Sequence, residues 1–388
     1  MSKLKISGLA AATANGLTKE SVFESVLKGA SSVDAKGLCS IAESDWEMLQ
    51  AKTPGLLKSS RCTQLAYHTL TQAIQDAGWT PEQVSESGFL FATTTSQIDV
   101  WEKCLPQTPG SLVSPQNIEL GVQNQSLGLP LVNLCKEFSI HGPQGLIASS
   151  CSASLQALAI ALLWIRAKKV RRCIVGATEI NSRLTSRGFG SLRLLSTSPC
   201  RPFDSARKGI NLGEASAFIL LEEEDLEPSR WGYLLGAGLS SDAFHSTSPE
   251  THGAGSQRSM QQALDSAGVQ ASQVDWIYAH GTGSPANDFA EAHAIHTVFP
   301  GQPWVSSTKS IHGHTLAASG VVESVLGLMA MKTNQVLGTA SCSNPDSNLP
   351  VRTTENSVNQ PISFFLKNSL GFGGINASVV FSSSRVVR

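Results

Sequence analysis

Apolar positions along this chain mostly come in short runs broken by glycine and small polar residues, but two stretches stay apolar for longer. They are "SSCSASLQALAIALLWI" (residues 149–165) and "GHTLAASGVVESVLGLMAM" (residues 313–331). Each opens on a turn of small residues and continues as a helix apolar nearly all round, which predicts two buried helices. A second pair of segments lines up without a gap, 190 residues apart: "QAIQDAGWTPEQV" (72–84) and "QALDSAGVQASQV" (262–274). Both carry Gln-Ala, an aliphatic residue and Ala-Gly, and both run into an apolar stretch, "GFLFATTTS" and "WIYAHGTGS". The pattern predicts helix, glycine stop, short loop and strand, twice.

Self-similarity at this period points to two related α/β halves rather than a solenoid. Buried helices between β segments imply layers with helices in the middle. A first strand is expected to end at the Asn15-Gly16 turn, while "PISFFLKNSLGFGG" and "NASVVFSSS" are expected to close a second sheet. With no Pro/Ser-rich linker between them, the halves form one unit, divided as 1–230 and 231–388.

Composition narrows the class. The 388 residues are 41% hydrophobic with a formal net charge of −1, which argues against nucleic acid or an anionic membrane as the main partner. The longest apolar run, residues 157–165, is too short for a membrane span. Eight scattered cysteines form no C-x-x-C pair and no metal-binding cluster, as in a reducing compartment, so a cytoplasmic location is expected.

Four constellations could carry chemistry. Cys151 sits at the start of the first buried helix, where backbone N–H groups and the helix dipole favour a thiolate and predict a lowered pKa. The alternative is an inert buried cysteine. "AHGTGSPANDFAEAH" (279–293) places His280 where a strand ends in a glycine-rich turn. "STKSIHGHTLAASG" (307–320) puts Lys309 five residues before His314, at the start of the second buried helix and in the place that mirrors Cys151. That helix end is expected to hold the imidazole neutral. "NSLGFGGINAS" (368–378) surrounds Phe372 with glycines, among them Gly373, so the loop can aim an N–H at a developing oxyanion.

In this order, these motifs resemble a β-ketoacyl-acyl-carrier-protein synthase of the thiolase-fold superfamily, in the branch with a Cys-His-His triad. "CRPFDSARKGINLGEASAFILLE" (200–222) matches as well, through Arg201-Pro202-Phe203-Asp204, Arg207, Gly209 and Gly213-Glu214, and the likeness covers nearly the whole chain. The resemblance implies an α/β fold of two related halves in five layers, α-β-α-β-α. It implies that Cys151 accepts an acyl chain as a thioester, and that His280 and His314 assist loss of carbon dioxide from a malonyl unit. Lys309 would hold the histidine network, with Glu291 and Asp288 as its supporting carboxylates. Phe372 would gate the acyl pocket, and the N–H groups of Cys151 and Phe372 would form the oxyanion hole. No cofactor is implied beyond the phosphopantetheine that arrives on the carrier-protein substrate, and a homodimer or a heterodimer with a related chain is. The sequence departs from the family pattern at Ala148, where many polyketide-type members carry aspartate, and in "GEASA".

Weaker signals remain. "RAKKVRR" (166–172), with Arg171 and Arg172, is a candidate docking patch for an acidic carrier protein or a solvated helix end; Lys58 with Arg61 is another. The "HAIH" and "HGH" pairs lack the matching ligand spacing of a metal site. A chain-length partner subunit would lack the cysteine, a thiolase would carry a second cysteine in the glycine loop, and a starter-unit synthase would have asparagine for His314. An acyltransferase using the same cysteine stays open.

Overall fold

The computed structural model describes residues 3–55, 60–106, 112–123, 125–224 and 228–384. Its centre is a ten-stranded mixed sheet. In chain order the strands are β1 (Leu4–Thr13), β2 (Gly88–Ala92), β3 (Gln144–Ile147), β4 (Arg172–Glu179) and β5 (Ala215–Glu223), then β6 (Tyr233–Ser241), β7 (Trp276–Tyr278), β8 (Trp304–Ser306), β9 (Phe364–Gly371) and β10 (Ile375–Ser382). Their spatial order is β8-β7-β9-β10-β6-β1-β5-β4-β2-β3.

The order is a repeat. Outward from the centre, β1-β5-β4 pair antiparallel and β4-β2-β3 parallel. On the other side β6-β10-β9 pair antiparallel and β9-β7-β8 parallel. The two sets meet in a short antiparallel contact, Leu4 with Leu234 and Lys5 with Tyr233. The expected second sheet is therefore continuous with the first through this contact, and β9 and β10 lie inside it rather than at its edge.

The twin segments of the sequence are helix α1 (Arg61–Ala77) and its counterpart α3 (Ala254–Ala267). Each ends on a glycine in the left-handed region, Gly78 at φ 65° and Gly268 at φ 64°, the conformation in which glycine alone carries no Cβ penalty. The alanines of the shared pattern seat each helix on its half. A Cβ on Gly8 of β1 would lie 2.4 Å from the Ala73 carbonyl, and one on Gly236 of β6 would lie 2.4 Å from the Ala267 nitrogen.

Between the halves run the two apolar helices, α2 (Ala153–Arg166) and α5 (Ser319–Thr333). Three hydrophobic clusters fill the spaces: one under α1 (Leu70, Phe89, Phe218), one around α2 and α5 (Leu158, Val325, Leu326), and one under α3 and α4 (Pro285–Val298; Leu264, Ile295, Leu366). The result is the five-layered arrangement α-β-α-β-α. The segment Leu316–Thr333 is long and apolar enough to cross a membrane, yet 89% of it is buried here as core.

Candidate active site

The N-terminal turns of α2 and α5 face each other, and the chemistry gathers there. Cys151 is the middle residue of a 3₁₀ turn, Ser150–Ser152, entered through Ser150 at φ 52°. The turn before α5 has the same form, Leu316–Ala318, entered through Leu316 at φ 46°. By this match the counterpart of Cys151 is Ala317, not His314, which lies three residues earlier. His314 is placed instead by "GINLGEA": its N–H donates to the Asn211 carbonyl at 2.7 Å, and its carbonyl accepts from Gly213 at 3.1 Å.

From that position His314 Nε2 lies 3.0 Å from Cys151 Sγ, and its Nδ1 lies 2.9 Å from Ser319 Oγ. Ser319 Oγ also accepts the Thr315 N–H at 3.0 Å. With the Ser319 hydrogen on Nδ1, Nε2–H donates toward the sulfur; with Nδ1–H donating to Ser319, Nε2 can take the thiol proton. The His280 ring stands edge-on to His314, centroids 5.1 Å apart. The ligand atoms of Cys151, His280 and His314 all lie within 4.8 Å of one another.

His280 is held by its backbone. Glu291 accepts its N–H at 2.6 Å and that of Gly281 at 2.7 Å, while Lys309 Nζ donates to its carbonyl at 2.5 Å. The side chain makes no such bond at Nδ1, which is buried without a partner. Asp288 accepts the N–H groups of Thr282 at 3.0 Å, Gly283 at 3.2 Å and Phe203 at 2.9 Å. Glu291 and Asp288 therefore shape the loop after His280 and are not the partners of Lys309. That partner is Glu323 of α5, which pairs with Lys309 through one oxygen and with Lys367 of β9 at 2.6 Å through the other. All three side chains are fully buried.

Neither Glu323 nor Lys367 was picked out by motif. The signal that could have found them is a single charge, of opposite sign in the two, inside each of two otherwise uncharged and largely apolar runs, "GVVESVLG" and "SFFLKNSL".

Burial sets the protonation states. It pushes the Cys151 thiol up to about 12, opposed by Lys309 and by the backbone N–H groups of Phe372 and of Cys151 itself. The net direction is thus opposite to the lowering expected from the helix end, because burial outweighs the N-terminal donors. His314 is neutral as expected, down to about 3, but chiefly through burial and then Lys309. Burial, Lys309 and His314 hold His280 well below its usual value.

A cavity of about 260 Å³ opens onto Cys151, His280 and His314, walled in part by Phe189 and Phe372. The two phenylalanines stack at 5.4 Å, and the loop carrying Phe372 turns through Gly373 at φ 85° and Gly374 at φ 71°. The basic patches fall elsewhere. Arg171 and Arg172 lie past the C-terminal end of α2, roughly 20 Å along that helix from the thiol at 1.5 Å per residue. They pair with Glu223 at 4.0 Å and Glu222 at 3.3 Å, so the docking expected there is not placed at the cavity. Arg61 pairs with Glu43 and covers the Trp46 ring. Lys58 lies outside the described residues.

Comparison with known proteins agrees with this geometry. The family model "Beta-ketoacyl synthase, N-terminal domain" matches residues 1–227, and "Beta-ketoacyl synthase, C-terminal domain" matches residues 231–343. The 3-oxoacyl-acyl-carrier-protein synthase 2 of Staphylococcus aureus (strain COL) is 28% identical over 98% of each chain. That of Coxiella burnetii (strain RSA 493 / Nine Mile phase I) is 33% identical over 70% of this chain and 68% of its own. Among solved structures, a beta-ketoacyl synthase from Burkholderia phymatum STM815 superposes with a TM-score of 0.85 at 25% identity over 100% of both chains. A ketosynthase solved in complex with its chain length factor, from Xenorhabdus doucetiae, gives 0.83 at 27% identity over 98% of both.

Proposed function

The chain belongs to the beta-ketoacyl synthase family, and from that premise we propose that it extends an acyl chain with malonyl-acyl-carrier-protein, using Cys151, His280, His314 and Lys309. The observation that carries this reading is the buried convergence of one thiol and two neutral imidazoles at a cavity with backbone donors.

In the first half-reaction Cys151 Sγ attacks the acyl thioester carbonyl, the carrier's C–S bond breaks, and the thiol proton leaves with the carrier thiolate. His314 Nε2, at 3.0 Å, is the group placed to relay that proton. Because the resting thiol is neutral, attack and proton transfer are coupled. The N–H groups of Cys151 and Phe372 receive the oxyanion.

In the second half-reaction the malonyl C–C bond to its carboxylate breaks, releasing carbon dioxide and leaving the electron pair as a thioester enolate. Neutral His280 and His314 donate hydrogen bonds to the enolate oxygen, and burial strengthens each of them. The enolate carbon then attacks the acyl-Cys151 carbonyl. The Cys151 C–S bond breaks, the thiolate takes up a proton, and 3-oxoacyl-acyl-carrier-protein leaves. Lys309 steadies the histidines through the His280 carbonyl, Glu291 and Asp288 hold the loop, and Phe372 with Gly373 forms the movable wall. The carrier brings the phosphopantetheine arm. A dimer, with a second copy or a related chain, is supported by the relative solved with its chain length factor.

The test is intact mass after incubation with acyl carrier proteins of graded chain length, then addition of malonyl carrier protein. Expected is an adduct on Cys151 that vanishes into 3-oxoacyl product. Stable loading with no extension would point to simple acyl transfer.

A further inference from the structure

Lys367 has no part in the roles above, yet it is a fully buried ammonium one strand from the catalytic histidine. Its Nζ donates to the carbonyls of Ala279 at 2.8 Å, Asn368 at 2.7 Å and Tyr278 at 3.2 Å, and pairs with Glu323 at 2.6 Å. The Ala279 carbonyl belongs to the residue directly before His280. Two ammonium groups on one carboxylate thus grip consecutive carbonyls, Lys367 at 279 and Lys309 at 280. The next residue of β9 closes the loop from the other side. Asn368 Nδ2 donates to Glu291 at 2.8 Å, and Glu291 accepts the His280 N–H. One residue further, Ser369 Oγ donates to the Cys151 carbonyl at 2.9 Å.

We propose that Lys367 is a positioning residue for the decarboxylating half-reaction, fixing the backbone that presents His280 while leaving the first acyl transfer to Cys151 largely intact. The proposal rests on the condensing reading above. The asymmetry follows from the geometry: the acyl transfer uses His314, whose backbone is anchored on Asn211 and Gly213 and takes no hydrogen bond from Lys367. Lys367 thus acts on His314 through charge alone, whereas it grips the carbonyl directly before His280. His280 has no bond at Nδ1 and depends on its backbone for its aim. A displacement near 1 Å in such a group costs on the order of 100-fold in rate.

A pH signature accompanies it. Burial pulls the Lys367 ammonium down to about 8, against the opposing pull of Glu323. The charged and titratable groups facing it are Glu323 from α5, Lys309, His312 and His314 from the segment between β8 and α5, Glu291 from α4, Tyr278 from β7 and His280 just after it. Deprotonation above about pH 8 removes the charge that pairs with Glu323 and one of the three N–H donors shared among the carbonyls of Tyr278, Ala279 and Asn368. That loosens the backbone before His280, so decarboxylation is expected to fall there. In the acyl-enzyme Cys151 is blocked, and its own titration does not enter.

The experiment compares wild type and Lys367→Met in two separate assays: acyl loading of Cys151 by intact mass, and carbon dioxide release from malonyl carrier protein by the preloaded enzyme. Expected for the variant is loading within about twofold of wild type and carbon dioxide release down on the order of 100-fold, with the alkaline limb near pH 8 gone. Equal loss of both steps, or no loss of either, would overturn the proposal. If the variant does not fold, the wild-type profile decides: an alkaline fall confined to the decarboxylation step supports it, and a flat profile from pH 7 to pH 9.5 overturns it. Failure of wild type to load or to extend would instead strike the condensing reading itself.

Discussion

The two halves of the molecule share strand order, strand direction and a central helix entered through a left-handed residue, and they carry opposite kinds of chemistry. In the proposed function the first half supplies the nucleophile at its turn; the matching residue of the second half is Ala317, a fully buried side chain with no reactive group. The second half carries the two histidines beside that thiol and the buried charge cluster behind them: His280, His314, Lys309, Lys367 and Glu323. Shifted by the same 166 residues that separate the Ser150 and Leu316 turns, Glu323 corresponds to Ala157, a plain packing residue of α2. A duplicated scaffold thus gives two equivalent helix ends facing one cavity, and division of labour follows from which end received which side chain.

The sharpest way to break that comparison is to move the nucleophile. Cys151→Ala is expected to abolish the acyl adduct and to lower condensation by more than about 10⁴-fold. Adding Ala317→Cys in that background is expected to restore nothing, because Ala317 is fully buried and does not line the cavity. Recovery of an adduct on residue 317 by peptide mapping would show that the two ends are chemically interchangeable.

The charged cluster tests the other side. Glu323→Gln leaves two buried ammonium groups without their carboxylate and is expected to cost about 3–5 kcal/mol of stability in denaturant unfolding. Leu158→Ala in α2, which is fully buried, is expected to cost about 2–5 kcal/mol by cavity formation. The two are distinguished by function: the α2 variant keeps its rate per folded molecule, and the α5 variant does not.

Buried glutamates and buried histidines respond to pH with opposite sign. In the first half, burial raises Glu179 and Glu214 to about 7. In the second half, burial lowers His312 to about 4 and His314 to about 3. Between pH 7 and the unfolded carboxyl value, 4.5, the folded glutamates hold protons that the unfolded chain does not, so acid stabilises through them. Below 6.5 the unfolded histidines take protons that the folded ones refuse, so acid destabilises through them. From pH 6 to pH 5 each group contributes at most about 1.4 kcal/mol. Urea unfolding across this range should show wild type gaining on Glu214→Gln as pH falls and losing to His312→Asn; parallel curves would sink this account.

What the sequence made legible follows the same division. Repeat, buried helices, Cys151, His280 and His314 are local signals, each readable from a turn and the run beside it. The partners of Lys309 were not, because a carboxylate 14 residues away, one helical layer across, leaves no mark in the spacing. Glu291 and Asp288 stood nearer the histidine in sequence, and they turned out to serve backbone N–H groups instead. The direction of the thiol pKa was missed for a related reason: a helix end is visible in sequence, whereas burial is a property of the packed interior.

The smallest expected effect concerns the two ends of α2. A carrier protein must deliver its thioester into the cavity at Cys151, and the "RAKKVRR" charges gather at the opposite end. There Arg171 and Arg172 already face Glu223 and Glu222, and Arg166 turns inward to the Leu235 carbonyl at 2.5 Å. Partnered charges at that remove add little to a specific encounter, and salt screens interactions between exposed charges over distances beyond about 10 Å. Arg171→Glu is therefore expected to change KM for the acyl carrier protein by less than about twofold at moderate ionic strength. A larger rise in KM, with kcat unchanged and the effect suppressed by salt, would place carrier contact at the far end of the helix. Entry to the thiol would then need a route other than the cavity bounded by Phe189 and Phe372.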